Sequence, residues 1–138
     1  MDSDVCHLIQ FGKNLDQSGS LVFMQENKEI PFKIKRVYYL FGVPSSGKRG
    51  THAHKDLRQV LIALSGRFEV IVDNGYVKDS YLLANPREGL YVGAKVWREL
   101  KNFSSDAICL VLASALYDPS DYIRDYDAFL SEIKSLCV

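Results

Sequence analysis

Apolar residues recur along this chain at a spacing of two or in short unbroken runs, and both patterns read as β-strands. Over residues 33–43, KIKRVYYLFGV, alternation sets Ile34, Arg36, Tyr38 and Leu40 on one face and Lys35, Val37, Tyr39 and Phe41 on the other. Parity alone leaves open which face turns inward. The run 60–64 reads as a buried strand, and further strands are expected at 6–11, 20–25, 68–72, 81–83, 89–92 and 107–112. Between them lie a Gly/Asn/Asp/Ser-rich turn through Gly19, a loop 44–50 and the hairpin cue Asp73-Asn74-Gly75. Only 125–136 has helical spacing, with Tyr126, Phe129, Leu130 and Ile133 on one stripe, which suits a helix laid over a sheet. The pattern is that of an all-β fold with a short C-terminal helix.

Candidate chemistry collects at RGTHAHKDLRQVLIALSG, residues 49–66. On a strand, His52 and His54 point the same way while Thr51, Ala53 and Lys55 point the other, so two imidazoles share one wall. Four residues separate His54 from Gln59, and six more lead to Gly66. That spacing resembles the first cupin motif, with glutamine where the motif has an acid. The second cupin motif, PxGxxHxxxN, has a partial counterpart in residues 93–102, GAKVWRELKN: Asn102 is in register, Arg98 replaces the histidine, and Gly93 and Lys95 replace the proline and glycine. Metal cupins hold their ion with three histidines and the acid, and two of those four donors are missing here. Guanidinium stays protonated and has no lone pair to give, so no functional metal is expected. Free imidazoles beside a cation suit proton transfer on an anionic or anion-forming substrate.

With 17 basic and 17 acidic residues the chain is formally neutral, which argues against general nucleic-acid binding and makes any anion site local. Its 138 residues suffice for one domain with its own core. Cys6, Cys109 and Cys137 have no CxxC spacing and read as reduced thiols of a cytoplasmic protein; no signal peptide or membrane span is expected. His7, with no clustered partner in sequence, reads as an exposed strand residue. Arg49 lies close enough to His52 in sequence to serve a phosphate or carboxylate.

Taken together, IPFKIKRVYYLF, RGTHAHKDLRQVLIALSG, GLYVGAKVWREL, FSSDAICLVLAS and YDPSDYIRDYDAF make the chain resemble the dTDP-4-keto-6-deoxy-D-glucose 3,4-ketoisomerases of the sugar-nucleotide cupin group, over nearly its whole length. The resemblance implies a single cupin domain over residues 1–138, built as a β-barrel or jelly roll. It implies a homodimer with N-terminal strand exchange, action on a dTDP-linked keto sugar without metal or cofactor, and a product feeding dTDP-3-amino sugar synthesis. It also implies His52 as the base moving hydrogen between C3 and C4, with His54 polarising or relaying protons between the oxygens and Tyr38 assisting; the two histidine roles are open to exchange. Arg98 should contact the keto sugar or a phosphate, with Arg49, Arg36 and Gln59 as further substrate contacts. Ser18, in the turn before Gly19, and Arg98 both stand at positions implied to face the sugar, and the galacto or gluco outcome is left open. The alternatives are a dTDP-sugar 3,5-epimerase, a non-catalytic sugar-binding or regulatory cupin, and a metal-dependent dioxygenase.

Overall fold

A computed structural model describes residue 1 and residues 5–136, with the backbone alone for 13–16; Cys137 lies outside the described residues. The strands are β1 (Cys6–Gln10), β2 (Lys13–Asp16), β3 (Gly19–Val22), β4 (Arg36–Phe41), β5 (Arg49–His54), β6 (Gln59–Ser65), β7 (Phe68–Asp73), β8 (Lys78–Leu83), β9 (Glu88–Val92), β10 (Trp97–Lys101), β11 (Ile108–Ala113) and β12 (Tyr122–Ile123). A 3-10 turn, Pro119–Asp121, leads into β12, and helix α1 (Tyr126–Ser135) closes the fold. One five-stranded sheet has the order β1-β9-β6-β11-β4 and the other β12-β5-β10-β7-β8. The two face each other as an open jelly-roll sandwich, so the expected barrel is realised as two layers.

Alternation along each strand builds the interior. On β7, Phe68, Val70 and Val72 are fully buried; they meet Leu61, Ala63, Leu90 and Val92 from the opposite sheet. Burying each such side chain contributes roughly 1.5–3 kcal/mol. The parity left open on β4 is settled: Arg36, Tyr38 and Leu40 turn inward, whereas Val37, Tyr39 and Phe41 are 56%, 62% and 70% exposed. Cys6 and Cys109 are buried free thiols in the core, and burial pushes each up to about 12.

The outer faces have separate covers. Phe11, Ile30 and Phe32 pack over Val60, Ile62 and Tyr91 of the first sheet, while Phe129 and Ile133 of α1 pack on Ala53 and Trp97 of the second. The helix starts where Asp125 accepts a hydrogen bond from the Ala128 amide, and its stripe packs as the spacing predicts. Gly66 turns β6 into β7 with φ +64°; a Cβ there would lie 2.3 Å from Ser104 Oγ and 2.8 Å from Ala107 Cα.

Several expectations shift. The third strand ends at Val22, short of residue 25, because Met24 turns onto the first sheet's cover. Residues 13–16, expected as turn, form β2, which among the described residues pairs only with β3. The first strand, β1, pairs with β9, from Cys6 opposite Val92 to Gln10 opposite Glu88. His7 is half-buried, with its ring 5.0 Å from that of Tyr91.

Candidate active site

One end of the sandwich interior is polar. Arg98 lies opposite His52 where β10 pairs β5, and the pairing then slips before Leu100 meets Arg49. Gly50, in this irregular stretch, takes φ +63°. His52 and His54 share one face as alternation requires, with ring centroids 4.7 Å apart and planes 89° to one another. Their Nε2 atoms are 3.0 Å apart, so one donates and the other accepts.

The two imidazoles stand one behind the other. His52 lines a cavity of about 570 Å³ together with Tyr38, Gln59, Arg98 and Tyr122, whereas His54 lines a neighbouring cleft of about 330 Å³ on the far side of Tyr122. Behind His54, Asp121 Oδ2 lies 3.0 Å from Nδ1. Burial, then the Arg98 charge, lowers both histidines from 6.5, to about 2 for His52 and about 3 for His54. Both rings are therefore neutral at pH 7, as a base awaiting a proton must be.

Across the cavity a hydrogen-bonded chain fixes three more side chains. Arg98, 1% exposed, donates through Nε and Nη2 to the Val96 carbonyl and through Nη1 to Gln59 Oε1. The Gln59 carbonyl oxygen is thereby taken, and its Nε2 donates to the Tyr38 hydroxyl oxygen at 3.0 Å. A hydroxyl that accepts there has its own proton left to donate elsewhere. Burial raises Tyr38 above 10.0, so it stays protonated at neutral pH.

The cavity wall is cationic: Arg36, Lys48, Arg49, Arg98 and Arg124 line it, with no carboxylate among the lining residues. Arg36 lies over the rings of Tyr38 and Tyr117, at 5.3 and 5.6 Å, and its buried Nε and Nη2 have no hydrogen-bond partner among the described residues. Buried donors left in that state suit an incoming anion. Arg124 stacks on Tyr122 at 4.3 Å. Among the described residues no group of three or more His, Cys, Asp or Glu is placed to hold a metal. At the motif's ligand positions, Gln59 is bonded to Arg98, a donor set that does not fit a divalent cation.

Structure thus gathers His52, Tyr38, Arg98, Arg49, Arg36 and Gln59 around one cavity and sets His54 behind His52. Ser18 is not among the lining residues. Asp121, Tyr122 and Arg124 were not legible as site residues. They arrive on and beside β12, two residues long, which pairs Tyr122 with His54 and Ile123 with Ala53; Asp121 ends the 3-10 turn before it and Arg124 follows it. No alternation is visible in so short a strand; the one signal is the Asp118-Pro119 step, whose capped turn, Asp118 Oδ1 accepting from the Ser120 amide at 3.0 Å, aims Asp121 inward.

Comparison with known proteins bears on this geometry. The family model FdtA, described as WxcM-like, C-terminal, matches residues 4–134. A TDP-4-oxo-6-deoxy-alpha-D-glucose-3,4-oxoisomerase from Aneurinibacillus thermoaerophilus is 50% identical over 129 residues, covering 94% of this chain and 93% of that protein. The WlaRB TDP-quinovose 3,4-ketoisomerase from Campylobacter jejuni is 48% identical with a TM-score of 0.88, covering 91% of this chain and 97% of its own. A mutant of the 3,4-ketoisomerase QdtA from Thermoanaerobacterium thermosaccharolyticum, solved with TDP-4-keto-6-deoxyglucose, is 41% identical with a TM-score of 0.92 and 94% coverage of both chains. A match along almost the whole chain, together with the two-sheet fold, makes this chain a member of the FdtA family, the WxcM-like, C-terminal group.

Proposed function

We propose that this chain is a dTDP-hexose 3,4-ketoisomerase, moving the keto group of dTDP-4-keto-6-deoxy-D-glucose from C4 to C3 through an enediol. The observation that carries the reading is a neutral histidine facing a protonated tyrosine in a cavity whose lining charges are all positive. The cations complement a diphosphate, and the histidine and tyrosine supply a carbon base and an oxygen acid.

In this mechanism His52 takes the proton from C3, the C3–H electrons form the C3–C4 double bond, and the C4 carbonyl oxygen receives the Tyr38 proton. The O3 proton then returns to Tyr38 as the C3 carbonyl forms, and His52 delivers its proton to C4. Atoms and electrons balance with no oxidant, metal or cofactor. Gln59 holds Tyr38 in the donating sense and is itself held by Arg98. Arg36 and Arg49 bind the anionic part of the substrate. His54 acts through His52, because it lies behind that ring.

The working unit in this proposal is a homodimer. Among the described residues the β2–β3 hairpin pairs with neither sheet, and an isolated two-stranded hairpin is only marginally stable, so a partner subunit would cover it. That arrangement exchanges the hairpin while β1 stays at home, and it lets Ser18 approach the partner's sugar. The outward apolar side chains of β4 offer further contact area. Free Cys6 and Cys109 suit the reducing cytoplasm.

Incubation with dTDP-4-keto-6-deoxyglucose in deuterium oxide, followed by NMR, tests the reading. Ketoisomerisation gives a carbonyl at C3, with label at C4 in the fraction of turnovers in which the proton held on His52 exchanges with solvent before delivery. A 3,5-epimerase gives label at C3 and C5 with the ketone still at C4. A binding module gives no exchange.

A further inference from the structure

We propose that Asp121 is a positioning residue that fixes the protons of the histidine pair, leaving Nδ1 of His52 unprotonated as the atom that takes hydrogen from carbon. The inference rests on the ketoisomerase reading of His52. It starts from the surroundings of one carboxylate. Asp121 Oδ1 accepts from the Asp56 amide at 2.9 Å, and Oδ2 faces the Leu57 amide at 3.4 Å and His54 Nδ1 at 3.0 Å. Two backbone donors pin the carboxylate, and an ionised carboxylate only accepts. Nδ1 of His54 must therefore carry hydrogen.

The consequence propagates. A neutral His54 protonated on Nδ1 has a lone pair on Nε2, and the atom 3.0 Å away is His52 Nε2, which must donate. A neutral His52 protonated on Nε2 has its lone pair on Nδ1. When that nitrogen accepts the substrate's proton, His52 becomes a cation with His54 accepting from it and Asp121 oriented behind. One anionic group thus sets the direction of both hydrogen bonds without touching the sugar. His54 orients His52, and Asp121 orients His54.

D121N separates this role from a merely structural one. In the variant the amide oxygen keeps the shorter 2.9 Å bond from the Asp56 amide, and the NH2 group takes the Oδ2 position, giving up the longer 3.4 Å contact with the Leu57 amide. The NH2 group then faces His54 Nδ1 and donates to it. His54 must carry its hydrogen on Nε2, and His52 Nε2 must accept, which moves the His52 hydrogen onto Nδ1 and blocks the base. The expected result is a fall in kcat of about 100-fold or more, while TDP affinity by calorimetry stays within about twofold.

Nitrogen-15 NMR of labelled histidines gives a readout that loop packing alone would not move. Wild type should show hydrogen on Nδ1 of His54 and Nε2 of His52, and D121N the reverse. Unchanged tautomers in D121N, or kcat within about threefold of wild type, would overturn the proposal. If D121N fails to fold, the wild-type spectrum decides, because hydrogen on His54 Nε2 refutes the scheme outright. Wild-type protein that leaves the ketone at C4 would instead refute the ketoisomerase reading, with the tautomer result standing separately.

Discussion

Gln59→Glu is nearly isosteric, yet it should reverse the polarity of Tyr38. In the native chain the Gln59 amide accepts from Arg98 at one end and donates to the Tyr38 oxygen at the other, 3.0 Å away. The new carboxylate still accepts from Arg98 but has nothing to donate. Tyr38 then becomes the donor to it, and the proton meant for the C4 oxygen points the wrong way. Before reacting, that proton must leave a hydrogen bond to a charged acceptor, which costs about 1.5–3 kcal/mol. At about 1.4 kcal/mol per decade, kcat should fall roughly 10- to 150-fold. KM should change little, because the phosphate-facing cations are untouched. Steady-state kinetics on Q59E, Y38F and the double variant read this directly, since Q59E should add almost nothing once the Tyr38 hydroxyl is gone. Full additivity in the cycle, or a Q59E kcat within about twofold of wild type, would refute the link from Arg98 through Gln59 to Tyr38.

Acid should weaken the fold through the two buried histidines, His52 and His54. Between pH 6.5 and about 3, His52 and His54 bind protons in the unfolded chain but not in the folded one, so stability is complete above 6.5 and falls with decreasing pH, by at most about 1.4 kcal/mol per pH unit for each. Thermal melts should show this slope and the double change H52N/H54N should flatten it; equal slopes would contradict the assignment. Arg98→Ala should lower kcat/KM by roughly 10- to 150-fold, by removing a charged donor worth about 1.5–3 kcal/mol, and added zinc or iron should not restore it. Rescue by either ion would show that position 98 is a vacated ligand site after all. Sedimentation at working concentration should report a dimer, and a monomer with full activity would reject the hairpin exchange.

Much of this site was readable from the chain because alternation on a strand is a strong constraint. With residues 49–54 extended, His52 and His54 had to share a face, and the spacing to Gln59 and Gly66 pointed to the strand pair that the structure contains. Arg98 was legible as the replacement of a motif histidine, and it lies beside Gln59 as that replacement implies. Depth within a face was not legible. Period two says that both rings point one way, but only the crossing of β12 makes His54 the inner member and gives it Asp121. The parity of β4 was undecidable for a similar reason, since both of its faces carry aromatics and the choice rests on β11 beside it. Lys95 shows a subtler departure: it adopts φ 60° where the motif places glycine, tolerated because its backbone amide bonds the His54 carbonyl at 2.7 Å and its ammonium reaches the Lys55 carbonyl at 2.8 Å.

The central claim is that a neutral imidazole, acting without a metal, removes hydrogen from the sugar carbon. Its most direct test is the rate of C3–H loss from dTDP-4-keto-6-deoxyglucose in deuterium oxide, measured by proton NMR for chelator-treated wild type beside H52N. The account predicts undiminished exchange in the metal-stripped wild type and none in H52N, with TDP binding retained by both. Exchange that stops on chelation, or that continues in H52N, would contradict it.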